Sequence, residues 1–135
     1  MRWIAAWLAT ALAFAGLDVI WLSQVSPRLD PPSIGELLSN RVEIVPAIAF
    51  YLLYITGIVW LAVRPALRGA GWGEAAINGA VLGLVAYGTY DLTNQATLKV
   101  WSTTLTLADL AWGAFATACG AAAGYFAAAR ARTSM

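Results

Sequence analysis

Four long apolar stretches constrain the fold of this 135-residue chain more than any other feature. A helix needs about 20 apolar residues to cross the hydrocarbon core of a bilayer. The stretches that reach this length are Trp3–Leu22, Val42–Val63, Ala75–Leu98 and Leu105–Ala129. They predict an all-α polytopic membrane protein, a four-transmembrane-helix bundle that forms a single domain over residues 1–135.

The composition agrees with this class and excludes several others. Charged residues make up 11% of the chain, whereas soluble domains carry about 25%. The chain has no histidine, which excludes imidazole-held haem, His-ligated zinc and Ser-His or Cys-His nucleophilic sites. One cysteine, Cys119, excludes an internal disulfide, and a net charge of +1 without a basic run gives no nucleic-acid-binding surface. We therefore predict no cofactor and no nucleic-acid partner, and we assign no metal ligands.

The breaks between the spans follow the chemistry of proline and glycine. Three prolines between residues 27 and 32 end the first span. Ser33 and Glu36 then have the spacing of a capping box, which predicts a short interfacial helix in the first loop. The second break begins at Arg64-Pro65 and ends at Gly71. Lys99–Thr104 forms a tight third connection, so the last two helices should be antiparallel neighbours.

Basic residues in the flanks predict the orientation of the chain. Arginine and lysine are more numerous on the side that carries both termini. That side has five of them: Arg2, Arg64, Arg68, Arg130 and Arg132. The other side has three: Arg28, Arg41 and Lys99. The excess predicts that both termini lie in the cytoplasm.

Three aspartates lie inside the predicted spans, where acidic residues are costly and usually functional. Asp18 is near the end of the first span, Asp91 in the last third of the third, and Asp109 near the start of the fourth. Because consecutive spans alternate in direction, all three fall in the outer half of the membrane. At a rise of 1.5 Å per residue, Asp18 and Asp109 should lie roughly 6 Å below their helix ends, and Asp91 about 10 Å.

Helical spacing predicts what surrounds these carboxylates. On the third span, one face carries small, aromatic and polar residues in turn: Gly79, Gly83, Tyr87, Asp91 and Asn94. Small residues four apart favour close helix approach, so this face should point into the bundle.

An Asp-x-x-Trp pattern occurs on both the first and the fourth span. In each case, Asp18 with Trp21 and Asp109 with Trp112, the indole lies one turn from the carboxylate and its N–H could donate to a carboxylate across the bundle. The predicted ligand-binding site therefore joins these four residues to four of the third span, with the aspartates as candidate catalytic groups. Its members are Asp18, Trp21, Tyr87, Tyr90, Asp91, Asn94, Asp109 and Trp112.

A cluster of buried carboxylates allows several kinds of chemistry. Two neighbouring carboxyl groups can act as general acid and base, pass a proton through a transporter, or bind a divalent cation. Alternatively, Arg41 or Lys99 neutralises one of them in a structural ion pair, or each aspartate only fixes a neighbouring helix through hydrogen bonds. The pattern by itself indicates no reaction.

Four sequence blocks resemble the DUF2177 family of predicted bacterial membrane proteins. The most specific is Tyr90-Asp91-Leu92-Thr93-Asn94, within a block that extends to Trp101. The others are Leu17–Leu22, Phe50–Gly57 and Asp109–Gly113. Ser102 departs from the family, whose members often have proline there. The resemblance implies four spans and a family without an established activity.

Three functional hypotheses follow. The first is a small protein of the bacterial inner membrane that binds, and in a stronger form modifies, a lipid-like or small hydrophobic molecule. In it, Asp91 is the principal hydrogen-bonding or acid/base group. The second is an accessory subunit of a larger membrane complex, because 135 residues leave little room for a catalytic chamber. The third is a proton- or ion-coupled transporter that acts as an oligomer.

Overall fold

The computed structural model describes residues 1–25 and 44–133, and over these residues it is helical without a strand. Five α-helices and two π-helical turns follow one another along the chain. They are α1 (Arg2–Ile20), a π-helical turn (Trp21–Val25), α2 (Ile44–Ile58), a second π-helical turn (Val59–Val63), α3 (Arg64–Arg68), α4 (Trp72–Thr97) and α5 (Thr103–Thr133). The interfacial helix predicted at Ser33–Glu36 lies outside the described residues, as do Arg28 and Arg41.

The second apolar segment does not end at Arg64-Pro65, where the sequence predicted a break. It continues through α3 to Arg68. In the π-helical turn before it, the amide of Arg64 donates to the carbonyl of Val59, five residues back. In a regular α-helix the ring of a proline clashes with a backbone carbonyl group of the preceding turn. The wider π-helical turn moves these carbonyl groups aside, so Pro65 fits into the first turn of α3. The chain turns instead at Gly71, whose φ of 103° is open to glycine because it has no β-carbon.

Within residues 1–25 and 44–133, three helical segments are long and apolar enough to cross a membrane: Arg2–Ser23, Ile44–Arg68 and Thr103–Ala131. The sequence predicted a fourth at 75–98, where the structure has α4. This helix has 26 residues, about 39 Å at 1.5 Å per residue. Its glycine, asparagine and threonine residues, with Glu74 and Asp91, reduce its apolarity. It therefore matches a span in length but is less apolar than the other three.

Glycines bring α4 and α5 into backbone contact. A β-carbon on Gly79 would lie 2.8 Å from the carbonyl oxygen of Thr117, and one on Gly83 would overlap the carbonyl group of Gly113. Both glycines of α4 are buried, as the predicted small-residue face requires. Since dispersion between closely packed backbones holds membrane helices together, this contact orients the two helices against each other.

A neighbouring face of α5 receives α1 in the same way. Gly120 and Gly124 face Ala6, Thr10 and Phe14 of α1. The Thr10 hydroxyl donates to the carbonyl of Gly120 at 3.0 Å in a buried hydrogen bond. Helix α5 therefore contacts both α1 and α4. The chain has two ends in this arrangement: an aspartate end, where the turn Trp21–Val25 and Thr97 lie, and an arginine end with Arg2 and Arg68.

Candidate functional site

Asp18 of α1 is held by a hydrogen bond from α2. The Tyr51 hydroxyl donates to its Oδ2 atom. Both side chains are half-buried. The bond joins two helices that otherwise touch little at this end, because the N-terminal part of α2 is largely exposed, with Val45 and Leu53 among its most exposed side chains. Asp18 thus has a defined structural partner that the sequence analysis did not identify.

Aromatic rings surround this pair. Phe14 packs against Tyr51 and Tyr54 with centroid distances of 6.1 and 5.2 Å. Phe50 stacks on Tyr54 at 5.3 Å, and Tyr54 in turn contacts Tyr87 of α4 at 6.5 Å. We call Phe14, Phe50, Tyr51, Tyr54 and Tyr87 the aromatic cluster. It connects α1, α2 and α4.

The Tyr54 hydroxyl is fixed from the other side, by α5. It hydrogen-bonds to Oγ1 of Thr117 at 2.8 Å, and both residues are buried. Thr117 also lies at the Gly83 contact, so the aromatic cluster is tied to the α4–α5 interface. Each of these two buried hydroxyl groups therefore has a hydrogen-bond partner in its apolar surroundings.

The register of α4 against α5 places Asp109 level with Tyr87, and Asp91 one turn nearer the aspartate end. Tyr87 lies on Gly113 across the interface. The backbone of Gly113 faces Gly83, because the Tyr87 side chain leans back towards the start of its helix. The helices are antiparallel, so one turn towards the aspartate end leads from Gly83 to Tyr87 and from Gly113 to Asp109. Asp91 is completely buried, at 0% exposure, and Asp109 is half-buried. The axial offset between Asp91 and Asp109 is therefore about one helical turn, roughly 6 Å, and the predicted meeting of the two carboxylates stays a prediction.

Asp18 lies deeper than Asp109, although the sequence predicted equal depths. The indole rings of Trp21 and Trp112 stack at 4.8 Å and are therefore level. Because α1 and α5 run in opposite directions, Asp18 is one turn below that level and Asp109 one turn above it. The axial difference is roughly 9 Å. The ring of Tyr87, which packs on Gly113, lies between these two levels.

The two indoles of the Asp-x-x-Trp pattern make a contact different from the predicted one. They stack with an interplanar angle of 14°. Nε1 of Trp112 is buried and donates no hydrogen bond within the described residues. The prediction that this N–H donates to a carboxylate is therefore wrong for the described part of the chain. The reason is the axial offset, which brings indole to indole rather than indole to carboxylate.

Two further predicted residues lie nearer the surface of the bundle. Tyr90 is 61% exposed and packs edge-on against Trp101 at 6.0 Å. Asn94 is half-buried, on the same face of α4 as Asp91. Neither belongs to the aromatic cluster, although both lie within a few turns of it.

A groove opens at this end between α2 and α4. Its volume is about 250 Å³, and it is lined by Phe50, Ala86, Tyr87 and Tyr90. The described lining contains no carboxylate. Within residues 1–25 and 44–133, no three acidic or cysteine side chains come together in an arrangement that could hold a metal ion.

Sequence reasoning missed a polar network that closes the connection between α4 and α5. Thr106 donates to Oε1 of Gln95 at 2.7 Å and accepts from the Trp101 indole at 2.8 Å. The Gln95 amide donates to Thr103 at 2.9 Å. Because Trp101 also contacts Tyr90, this network fixes one edge of the site.

Sequence reasoning also missed Tyr51 and Tyr54, the two tyrosines whose hydroxyl groups hydrogen-bond α2 to its neighbours. A signal was present, since they are three residues apart and so share one face of a helix. They lie in the block Phe50–Gly57, which carried the family resemblance but was not assigned to the site. Nothing in the pattern of α2 alone indicates that its partners are Asp18 and Thr117.

The apolar helices, small-residue interfaces and intramembrane carboxylates define this protein as an α-helical membrane protein. The profile of the family described as a predicted membrane protein, DUF2177, matches residues 3–126. The chain belongs to the DUF2177 family. Searches of curated proteins and of solved structures gave no match.

Proposed function

We propose that this protein binds a lipid-like or small hydrophobic molecule at the aspartate end. One observation carries the proposal: a groove of about 250 Å³ between α2 and α4 is lined by Phe50, Ala86, Tyr87 and Tyr90. Its walls are almost entirely apolar. Small-molecule sites commonly combine such walls with a few polar groups that orient the ligand.

The polar group of the ligand would face Tyr87. The ring of that residue lies between the levels of Asp18 and Asp109, and Asp91 is one turn further on α4. A ligand with hydroxyl or amine donors suits this acceptor-rich surrounding. Modification of the ligand would be a further step, in which Asp91 and Asp109 act as the acid/base pair.

The proposal includes a membrane topology with four spans. Helix α4 packs along α5 and is about 39 Å long, so we place it across the bilayer beside α5. The arginine end would face the cytoplasm, and the membrane would be the bacterial inner membrane. Reporter fusions after Gly71 and after Val100 test this: a cytoplasmic signal from the first and an external signal from the second are expected. Signals from the same side would contradict a span at α4.

Lipid extraction from the purified full chain, followed by mass spectrometry, tests the ligand. Ala86→Phe fills the groove, and Ala111→Phe, at an exposed position of α5, is its matched control. We expect a co-purifying species in the wild type and in Ala111→Phe that is lost from Ala86→Phe. Asp91→Asn should retain it more weakly. An empty wild-type protein, or equal retention by both phenylalanine variants, would overturn the proposal.

The same preparation separates the other two hypotheses. An accessory subunit would bring a stoichiometric partner through a mild-detergent pull-down. A proton-coupled transporter would support uptake in vesicles that depends on Asp18, Asp91 and Asp109. Either result, together with an empty groove, would replace lipid binding as the function.

A further inference from the structure

A second groove lies at the arginine end, between α1 and the continuous rod of α2 and α3. Its volume is about 400 Å³. Aromatic and basic side chains line it: Trp3, Trp7, Thr56, Val59, Trp60, Arg64 and Arg68. None of these residues belongs to the aromatic cluster or to the three aspartates. The groove is therefore separate from the site proposed above.

One hydrogen bond joins the two walls of the apolar part of this groove. The Trp7 indole donates to Oγ1 of Thr56 at 3.0 Å, which ties α1 to α2 at the inner end of the groove. From Thr56 to Arg68 the rod extends over about 18 Å, close to the thickness of one leaflet of a bilayer core about 30 Å thick. Trp60 is 57% exposed along this path. A chain of one lipid fits such a length.

The mouth of the groove is cationic. The Arg64 guanidinium lies over the Trp60 ring at 3.5 Å, which holds it in place. Its Nε atom is buried, and within the described residues it has no hydrogen-bond acceptor. Arg68, four residues later, is exposed on the same rod. The acidic Glu74 nearby accepts the amide of Ala70 at 2.8 Å.

We propose that this groove binds an anionic phospholipid, with one acyl chain against the tryptophans and the phosphate between Arg64 and Arg68. Charge complementarity favours this occupant, because two arginines and no acidic side chain are among the described lining residues. Planar guanidinium groups bind phosphate oxygens in pairs. On the predicted topology this end faces the cytoplasmic leaflet, which is rich in anionic lipid.

Native mass spectrometry of the full chain in detergent tests the proposal, with phosphatidylglycerol and phosphatidylcholine of the same acyl chains as probes. We expect tighter binding of phosphatidylglycerol. Arg64→Gln and Arg68→Gln should each weaken it about fivefold and leave phosphatidylcholine binding unchanged. Arg64→Lys should restore part of the loss, since it keeps the charge but not the planar stacking on Trp60.

Lys99→Gln is the matched control, because it removes one positive charge at the opposite end of the bundle. It should bind phosphatidylglycerol as the wild type does. Equal affinity of the wild type for both lipids, or an equal loss in Lys99→Gln, would overturn the proposal. If Arg64→Gln does not fold, Arg68→Gln still decides, because that side chain is exposed. Ala86→Phe should leave this binding intact, so failure at one groove is distinguishable from failure at the other.

Discussion

The ring of Tyr87 occupies the space in which a β-carbon of residue 113 would lie, so that α5 has glycine where α4 inserts an aromatic side chain. This contact determines where the Tyr87 hydroxyl is placed relative to Asp18 and Asp109. It also belongs to the register that brings Tyr87 level with Asp109. One glycine therefore links the packing of the bundle to the geometry of the candidate site.

Gly113→Ala should lower both stability and ligand retention. The added methyl group would overlap the Tyr87 ring, and overpacking of this kind costs about 1–3 kcal/mol. Chaotrope-induced unfolding in detergent micelles, followed by circular dichroism, measures the change. Gly16→Ala is the control, because nothing lies within 4 Å of its β-carbon position and alanine favours a helix by up to ~1 kcal/mol. Equal stabilities of the two variants would contradict the contact.

Tyr51→Phe should destabilise the bundle by about 1–2 kcal/mol, since it removes the hydrogen bond to the Asp18 carboxylate. Tyr90→Phe, at an exposed tyrosine of α4, should change stability by less than about 0.5 kcal/mol. A double-mutant cycle with Asp18→Asn isolates the interaction: Tyr51→Phe should cost less in that background. Strict additivity of the two changes would argue against the bond.

Thr10→Val tests the α1–α5 contact. The substitution keeps the shape of the side chain but leaves the Gly120 carbonyl without its hydroxyl donor, so we expect a loss of about 0.5–1.5 kcal/mol. Thr89→Val is the matched control, because that hydroxyl only donates to Val85 within its own helix and is exposed. The same unfolding measurement applies, and a loss no larger than that of the control would count against the bond.

Ser102→Ala tests the cap of α5. The Ser102 hydroxyl accepts the amide of Leu105 at 3.0 Å, the usual N-cap bond to the third residue of a helix. We expect a loss of about 1 kcal/mol and faster hydrogen exchange at Leu105. Ser102→Asp should preserve the cap, since aspartate is an equally good N-cap residue. Unchanged exchange in the alanine variant would show that the cap contributes nothing.

Local patterns predicted the faces of single helices well. The face of α4 with Gly79, Gly83 and Asp91 is buried, because helical periodicity is a property of the chain alone. The end of the second helix was predicted wrongly at Arg64-Pro65. A π-helical turn accommodates the proline there, and its wider hydrogen bond has no signature in residue spacing.

The sequence by itself determined that this chain is a helical membrane protein, that Asp18, Asp91 and Asp109 lie towards the same end of the helix bundle and that glycines line one face of the third apolar stretch. Those properties depend on apolar length and on the helical repeat. Only the tertiary structure decided that Tyr51 pairs with Asp18, that Trp21 stacks on Trp112 and that Asp18 lies roughly 9 Å from the level of Asp109. The physical reason is that the rotation and axial offset of one helix against another arise from contacts between helices, such as Tyr87 on Gly113, which no single helix encodes.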